Sequence, residues 1–374
     1  MSAAFWMSGK ELDAEQTKAV EGIKENASFL LRGPAGSGKT NILLLRARWL
    51  TQKRLTDFQI IVFTSSLRDF VKEGCAQYGV NRESVVTQMA FFRRILDEHN
   101  TPYELTENFD EDRSLLAGQV TSLITAGKIT QSYCGYLLID EAQDYSDTEL
   151  LAFRKLTRNL MLAEDERQSI YRTTHTPTLS EELVDHNIVT LRYHYRSGLT
   201  LCRVADAIIP ESAIYGKVQE GCHYSEKNRP SSVNRVPCPS FDAQMQMIME
   251  NVAPQLDLYP DEKIGVLFPK KDQALAFREF ISRNAQSGAE DVLRVDTLHG
   301  AKGWEFRAVH IGGCEALYKM GPIQKRLIYM GVLRGRTSVH IYYSGHLPGY
   351  LDAALATVEP PRPSPTIDEL FEDL

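Results

Sequence analysis

Eight residues, "GPAGSGKT" from Gly33 to Thr40, combine three glycines, a lysine and a hydroxyl directly after the apolar run "SFLLR". Such a stretch suits a backbone that wraps phosphate. Gly33, Gly36 and Gly38 allow tight turning and close approach, and the amides around Ser37 and the following helix N-terminus point at a β-phosphate. Lys39 then neutralises β- and γ-oxygens, and Thr40 holds Mg²⁺. A glycine-rich turn without ligand is the alternative; the strand pattern before the loop and the helical pattern after it favour the phosphate reading. A second constellation follows about a hundred residues on. "YLLIDE" carries four largely apolar residues into Asp140 and Glu141. A buried strand of this kind delivers Asp140 beside Mg²⁺ and lets Glu141 polarise an attacking water. Together the two segments predict hydrolysis of a nucleoside triphosphate bound with Mg²⁺.

These residues need strands that end where helices begin. Nine apolar, β-branched runs alternate with helical stretches: "SFLLRG", "QIIVFTSS", "YLLIDEAQD", "NLMLAED", "HNIVTLRY", "KIGVLFPK", "VLRVDT", "AVHIGG" and "SVHIYYSG". The alternation predicts an α/β fold of parallel sheets, and nine strands are too many for one small sheet. The first set is expected to end near Tyr171, with "RTTHTPTLSEELVDH" as linker and the second set starting at Asn187. This gives one domain over 1–180 with a short helical insertion at about 94–133, and a second over 181–357. "HNTPYELTENFDEDRSLLAGQ" and "GKVQEGCHYSEKNRPSSVNRVPCPS" read as insertions or loops. At 358–374 a proline-rich spacer precedes "TIDELFEDL", where Thr366 is a fair N-cap and Ile367, Leu370, Phe371 and Leu374 share one helical face. A solvated tail is the plainer reading of that end; a peptide awaiting a protein partner or the chain's own nucleic-acid groove is the sharper one.

Composition narrows the class. The chain has 374 residues, enough for two cores, and its 43% hydrophobic and 24% charged residues are ordinary for a soluble globular protein. No apolar run is long enough to span a bilayer, so no membrane association is expected. Six scattered cysteines without a C-x-x-C pair fit a reducing cytoplasm and argue against a zinc site or disulfide framework. A net charge of −7 argues against indiscriminate coating of duplex but leaves room for a local basic groove.

The order of further motifs gives a resemblance. After "DEAQD" come "LAEDERQSIY", "LRYHYRS", "VDTLHGAKGWEF" and "RLIYMGVLRGRT". The set, over roughly residues 11–345, closely resembles superfamily 1 helicases of the UvrD/Rep type, which have two tandem RecA-like domains of the P-loop NTPase class. The resemblance implies an adenine-reading role for Gln16, a γ-phosphate-sensing role for Gln168, and stacking of Tyr195 on adenine. It implies that Arg196 and Arg334 reach the γ-phosphate from the second domain, and that Glu305 lies near the nucleotide sugar. Lys302 either neutralises charge in the cleft or caps a helix. For the DNA strand it implies contacts by Thr64 and Ser65 in "FTSSLRDFV", by Thr87 in "VVTQMAFFRRIL", and by Thr297 and His299. Phe91 and Phe92 in the same stretch fit core positions better than base platforms. The chain departs from the family at Glu164, where glycine is usual, at His194, where asparagine is usual, and after Tyr171, where no base-stacking aromatic is evident. Gly331, Leu333 and Gly335 also depart from the family's last motif.

The resemblance implies an ATP-dependent single-stranded DNA translocase and 3′→5′ helicase, with RNA left open as the track and the oligomeric state undetermined. The long accessory domain of larger relatives is missing: only "PKKDQALAFREFISRNAQSGAEDVLRV" stands in its place. That shortening gives weight to the alternative of an ATP-driven regulatory switch that binds nucleic acid or a partner without processive unwinding.

Overall fold

The computed structural model describes residue 6 and residues 11–106, 108–130, 133–171, 175–176, 178–210, 216–227, 229–284 and 292–359. The acidic segment that ends the chain, with Thr366 and its apolar face, lies outside the described residues. The architecture is α/β with two parallel sheets, the arrangement expected of two RecA-like domains. In the first sheet, β1 (Phe29–Arg32), β2 (Phe58–Val62), β3 (Val85–Thr87), β4 (Cys134–Ile139), β5 (Thr157–Glu164) and β6 (Ile188–Thr190) lie in the order β3-β2-β4-β5-β1-β6. In the second, β7 (Ser232–Cys238), β8 (Ile264–Phe268), β9 (Leu293–Thr297), β10 (Phe306–Ile311) and β11 (Gly335–Ser344) lie in the order β7-β11-β10-β8-β9.

Both sheets are covered on both faces, which is why their central strands read as unbroken apolar runs. Along β1, Phe29 and Leu31 join one apolar cluster and Leu30 joins another, as side chains alternate across the sheet. Along β8 and β10 the same alternation divides residues between two clusters: Leu267 and Val309 on one side, Val266 and Ala308 on the other. Phe91 and Phe92 are fully buried in the first lobe's core. The insertion is built from the end of the helix Gln88–Glu98 and the helix Phe109–Thr125. Among the described residues no helix is long and apolar enough to cross a membrane.

Three strands correct the sequence expectation, and all three are sheet edges. The strand Ile188–Thr190 does not open the second lobe; it pairs with β1 through Leu30, Leu31 and Arg32 and closes the first sheet. The expected start of the second set at Asn187, and with it the domain change at 180/181, therefore falls too early. β3 and β7 were not foreseen. β3 has three residues, too few for a periodic signal. β7 lies in the segment read as a loop and contains Pro237, which donates no ladder hydrogen bond and is tolerated at an edge. The span "YMGVLRGR" also divides: the helix Gln324–Val332 ends before Arg334, and Gly335 begins β11 rather than continuing a helix.

Candidate nucleotide site and inter-lobe seam

The glycine-rich loop joins β1 to the helix Lys39–Gln52. Gly36 and Gly38 have φ of 75° and 88°, the left-handed region that only glycine enters cheaply. A Cβ on Gly36 would come within 2.5 Å of the His194 ring, so both conformation and space demand glycine there. Lys39 heads the helix with its Nζ donating to the carbonyls of Gly33 (2.8 Å) and Pro34 (3.0 Å). Thr40 Oγ1 donates to Asp140 Oδ2 at 2.8 Å, so the hydroxyl and the carboxylate from the end of β4 meet at one point.

Glu141 has φ 55° and ψ 47°, an uncommon conformation for a non-glycine residue, which costs on the order of 1–3 kcal/mol and tends to persist at functional sites. The two adjacent acids are pushed apart electrostatically. Burial and the charge of Glu141 raise the Asp140 pKa. Burial also opposes ionisation of Glu141, but Lys302, Lys39 and Arg334 outweigh it and hold that carboxyl below its ordinary range. Gln143 Nε2 donates to Glu141 Oε2, and its Oε1 accepts from the Asp165 amide at 3.0 Å, tying β4 to the end of β5. Gln168 Nε2 in turn donates to Asp165 Oδ2 at 2.7 Å.

The second lobe brings cations to this wall. Arg334 Nη2 donates to Gln168 Oε1 across the lobes, and its Nη1 donates to Trp304 O at 3.3 Å. Arg196 pairs with Glu305. The Nε atoms of both arginines are buried without a hydrogen-bond partner, a costly state for cationic donors unless an anion joins them. Burial and the nearby Arg196 lower the Arg334 pKa to about 10, still charged at neutral pH. Lys302, 3% exposed, places Nζ 2.5 Å from Asp144 Oδ2, 2.9 Å from Gln168 O and 3.6 Å from Glu141 Oε2. Burial works against its charge, yet Asp144 and Glu141 prevail and its pKa is raised. Of its two expected roles, charge neutralisation in the cleft is the one the geometry matches.

The departures at His194 and Glu164 have local explanations. His194 lies against the loop: Nδ1–H donates to Ala35 O and Nε2 accepts from the Ser197 amide at 2.8 Å. These bonds define a neutral ring, and burial lowers its pKa to about 4. Glu164 faces Arg32 in register on neighbouring β1, with a 2.6 Å ion pair, both side chains nearly inaccessible. Glu181 adds a second carboxylate to the same arginine.

The expected nucleotide residues divide into a wall and its backing. A cleft of about 380 Å³ is lined by Gly36, Gly38, Lys39, Thr40, Glu141, Gln168, Tyr195, Arg196, Glu305 and Arg334, together with residues not foreseen, notably Trp6, Leu67 and Phe70. Gly33, Ser37, Asp140 and Gln16 sit behind that lining. Gln16 is wholly buried; its Nε2 donates to Ser37 O at 3.0 Å and its Oε1 accepts from the Asp13 amide at 3.1 Å. Its carboxamide thus braces the loop from behind. Tyr195 Oη donates to Asp13 Oδ2 at 2.5 Å.

The expected track residues lie elsewhere, at the carboxyl ends of β2, β3 and β9. Thr64 and Thr87 cap the helices Ser65–Tyr78 and Gln88–Glu98, accepting from Leu67 N (3.1 Å) and Ala90 N (3.3 Å), and Ser65 opens the first of these helices. Thr297 Oγ1 accepts from Gly300 N at 3.0 Å, in the turn that carries His299. Between these groups runs a seam of aromatic rings that the sequence did not disclose. Phe63 lies 4.4 Å from Tyr171 and 5.8 Å from Phe109, and Tyr171 lies 6.4 Å from His299 of the other lobe. Phe109 is 43% exposed, enough to offer a face. Arg113 stacks over Phe63 at 4.4 Å and is fixed by a 2.6 Å bond to buried Glu149.

No protein-family model matches the chain, and no curated protein matches it in sequence. Among solved structures, it is similar to the C-terminal domain of a possible DNA helicase from Lactobacillus plantarum WCFS1, with 17% identity and a TM-score of 0.33, over 43% of this chain and 93% of that one. A likeness of that size says nothing about the site.

Proposed function

We propose that the chain is an ATP hydrolase that couples closure and opening of its two lobes to movement along single-stranded DNA. One observation carries this reading: Arg334 of the second lobe, and Arg196 in the crossover segment that lies against Gly36, line one cleft with the glycine-rich loop, with buried Nε atoms still unsatisfied. Arginines so arranged stabilise the charge of a transferring phosphoryl group. The residues present fit ATP and Mg²⁺. The loop amides and Lys39 would hold the phosphates, Thr40 and Asp140 the cation, and Glu141, kept ionised by the cations around it, would accept a proton from the attacking water. Mg²⁺ would supply neutralisation of phosphate charge. Gln168, bonded to Arg334 of the opposite lobe, links the state of the cleft to the fit between lobes. Loss of the γ-phosphate removes the anion that both arginines share and loosens that fit.

Phe109, 43% exposed, and the half-buried Tyr171 and His299, seated on buried Phe63, support a single-stranded track, because aromatic faces stack on any base and a strand offers unpaired ones. The ordered motifs of the UvrD/Rep resemblance favour DNA as the track and 3′→5′ as the direction. The test is the steady-state ATPase rate with and without single-stranded DNA. Strong stimulation supports the motor. A flat rate with ATP-dependent binding supports the switch reading, which one observation favours: between β8 and β9 the described residues form a single helix, Lys271–Asn284, with no accessory domain to split duplex.

A further inference from the structure

The cleft has two chemically different ends. Lys39, Thr40, Glu141 and Arg334 form a charged end that suits phosphates. Trp6, Leu67, Phe70 and Tyr195 give the same lining an apolar and aromatic part, beside Glu11, Asn41 and Arg336. Flat apolar faces bind flat apolar groups, and in a nucleotide that group is the base. We propose that Trp6 forms an aromatic wall for the nucleoside end of the cleft, so that the chain ahead of the first strand helps hold the base of a bound nucleotide. The proposal rests on the reading of the cleft as a nucleoside triphosphate site.

The position of Trp6 is built rather than incidental. The residue is 8% exposed although it lies in the chain's first few residues. Its ring stacks on Phe70 at 5.0 Å with an interplanar angle of 29°, and meets the edge of Tyr78 at 6.0 Å. Its carbonyl accepts from Gln77 Nε2 at 3.4 Å. Gly74 makes room for it: a Cβ there would lie 2.5–2.7 Å from three atoms of the indole. The support reaches the phosphate end as well, because Tyr78 Oη donates to Asn41 Oδ1 at 2.7 Å, and Asn41 follows Thr40 and lines the same cleft. Phe70 also touches the second lobe through Trp304 at 6.4 Å, so the wall stands where the lobes meet.

The discriminating measurement is affinity for Mg·ATP against affinity for Mg·tripolyphosphate, which has the phosphates and no base. Trp6→Ala is expected to weaken ATP binding on the order of 10-fold, the scale of one lost base–aromatic stack, and to leave tripolyphosphate binding unchanged. Trp6→Phe should keep most of the affinity. Gly74→Ala, which touches no nucleotide group and improves helix propensity, should reproduce part of the selective loss by displacing the indole. The chain has three tryptophans; the change in their fluorescence on adding ATP should be largely lost in Trp6→Phe. Unchanged ATP affinity in Trp6→Ala, or an equal loss of ATP and tripolyphosphate, overturns the proposal while leaving the nucleotide site intact. A parent protein that binds neither compound overturns the nucleotide reading itself, and the proposal with it.

Discussion

The nucleotide cleft and the aromatic seam are built from the same two lobes, yet they hold their residues in opposite ways. In the cleft, charged groups are buried and cross-committed: Lys302 to Asp144, Arg334 to Gln168, Gln143 to Glu141 and to the backbone of Asp165. Along the seam, Thr64 and Thr87 make only local bonds within their own helix caps, and Phe109 stands 43% exposed. Buried networks in a low dielectric fix one geometry and penalise any loss steeply. A half-exposed row of hydroxyls and rings tolerates many partners and loses little when one member goes. A site for one defined ligand and a surface for a polymer of varying sequence should differ in this way.

The comparison breaks first at the cleft. Replacing Arg334 or Arg196 with alanine should lower kcat by roughly 10³-fold or more, the scale of an arginine finger withheld, while ATP affinity falls far less. Parent-like turnover of Arg334→Ala would show that the cation does not act on the phosphoryl group. Lys39→Ala and Glu141→Gln should both abolish turnover, but only Lys39→Ala should lose nucleotide binding. Equal loss of binding in the two would contradict the assignment of Glu141 to water rather than phosphate.

The same contrast explains what the sequence disclosed. Cleft residues were legible because phosphate chemistry demands particular types at particular spacings: glycine at Gly36 and Gly38, an ammonium at Lys39, a carboxylate after an apolar strand. The central strands were legible because burial on both faces demands apolar runs. The edge strands β3, β6 and β7 bury less and carry weaker patterns, so one was placed with the wrong sheet and two were missed. The bracing pairs were also out of reach. Arg32 with Glu164 and Arg113 with Glu149 join residues 132 and 36 apart, and only the fold brings them together. The seam was hidden for a further reason: Phe63 and Tyr171 belong to motifs already quoted for other roles, and Phe109 lies in a segment that reads as loop.

His194 tests how dry the cleft's backing is. Its pKa falls from 6.5 to about 4 on folding, chiefly through burial. The unfolded chain therefore binds the extra proton between those values. Stability from this group is complete above about pH 6.5, and is lost as pH falls toward 4, by up to about 3 kcal/mol. His194→Asn, which cannot be protonated, should flatten the acid limb of a denaturation series measured across that window. An unchanged slope would mean that the ring is hydrated or that the buried His310 governs the limb.

On the seam, single substitutions should act less severely. Tyr171→Ala and Phe109→Ala should each weaken binding of a single-stranded oligonucleotide by about 1–3 kcal/mol, the worth of one stacked base. The salt dependence of the residual binding should stay as in the parent, since it reports phosphate contacts rather than stacking. Unchanged affinity in both variants would assign these rings to structure alone.

The smallest effect separates the two roles of the capping threonines. As N-caps, Thr64 and Thr87 contribute to their helices about 1 kcal/mol each, the usual loss on replacement by alanine. As track contacts, they stand beside phosphates. Aspartate caps a helix as well as threonine and is favoured by the helix dipole, but its charge repels a phosphate. Thr64→Asp and Thr87→Asp should therefore keep the parent's melting temperature within a degree or two of experimental scatter, by order of magnitude, while weakening oligonucleotide binding most at low salt. Alanine at the same positions should do the reverse, with lower stability and nearly intact binding. If the aspartate variants bind the oligonucleotide like the parent at low salt, no phosphate lies near these caps. The strand would then have to follow the rings of the seam without touching the first turns of the two helices.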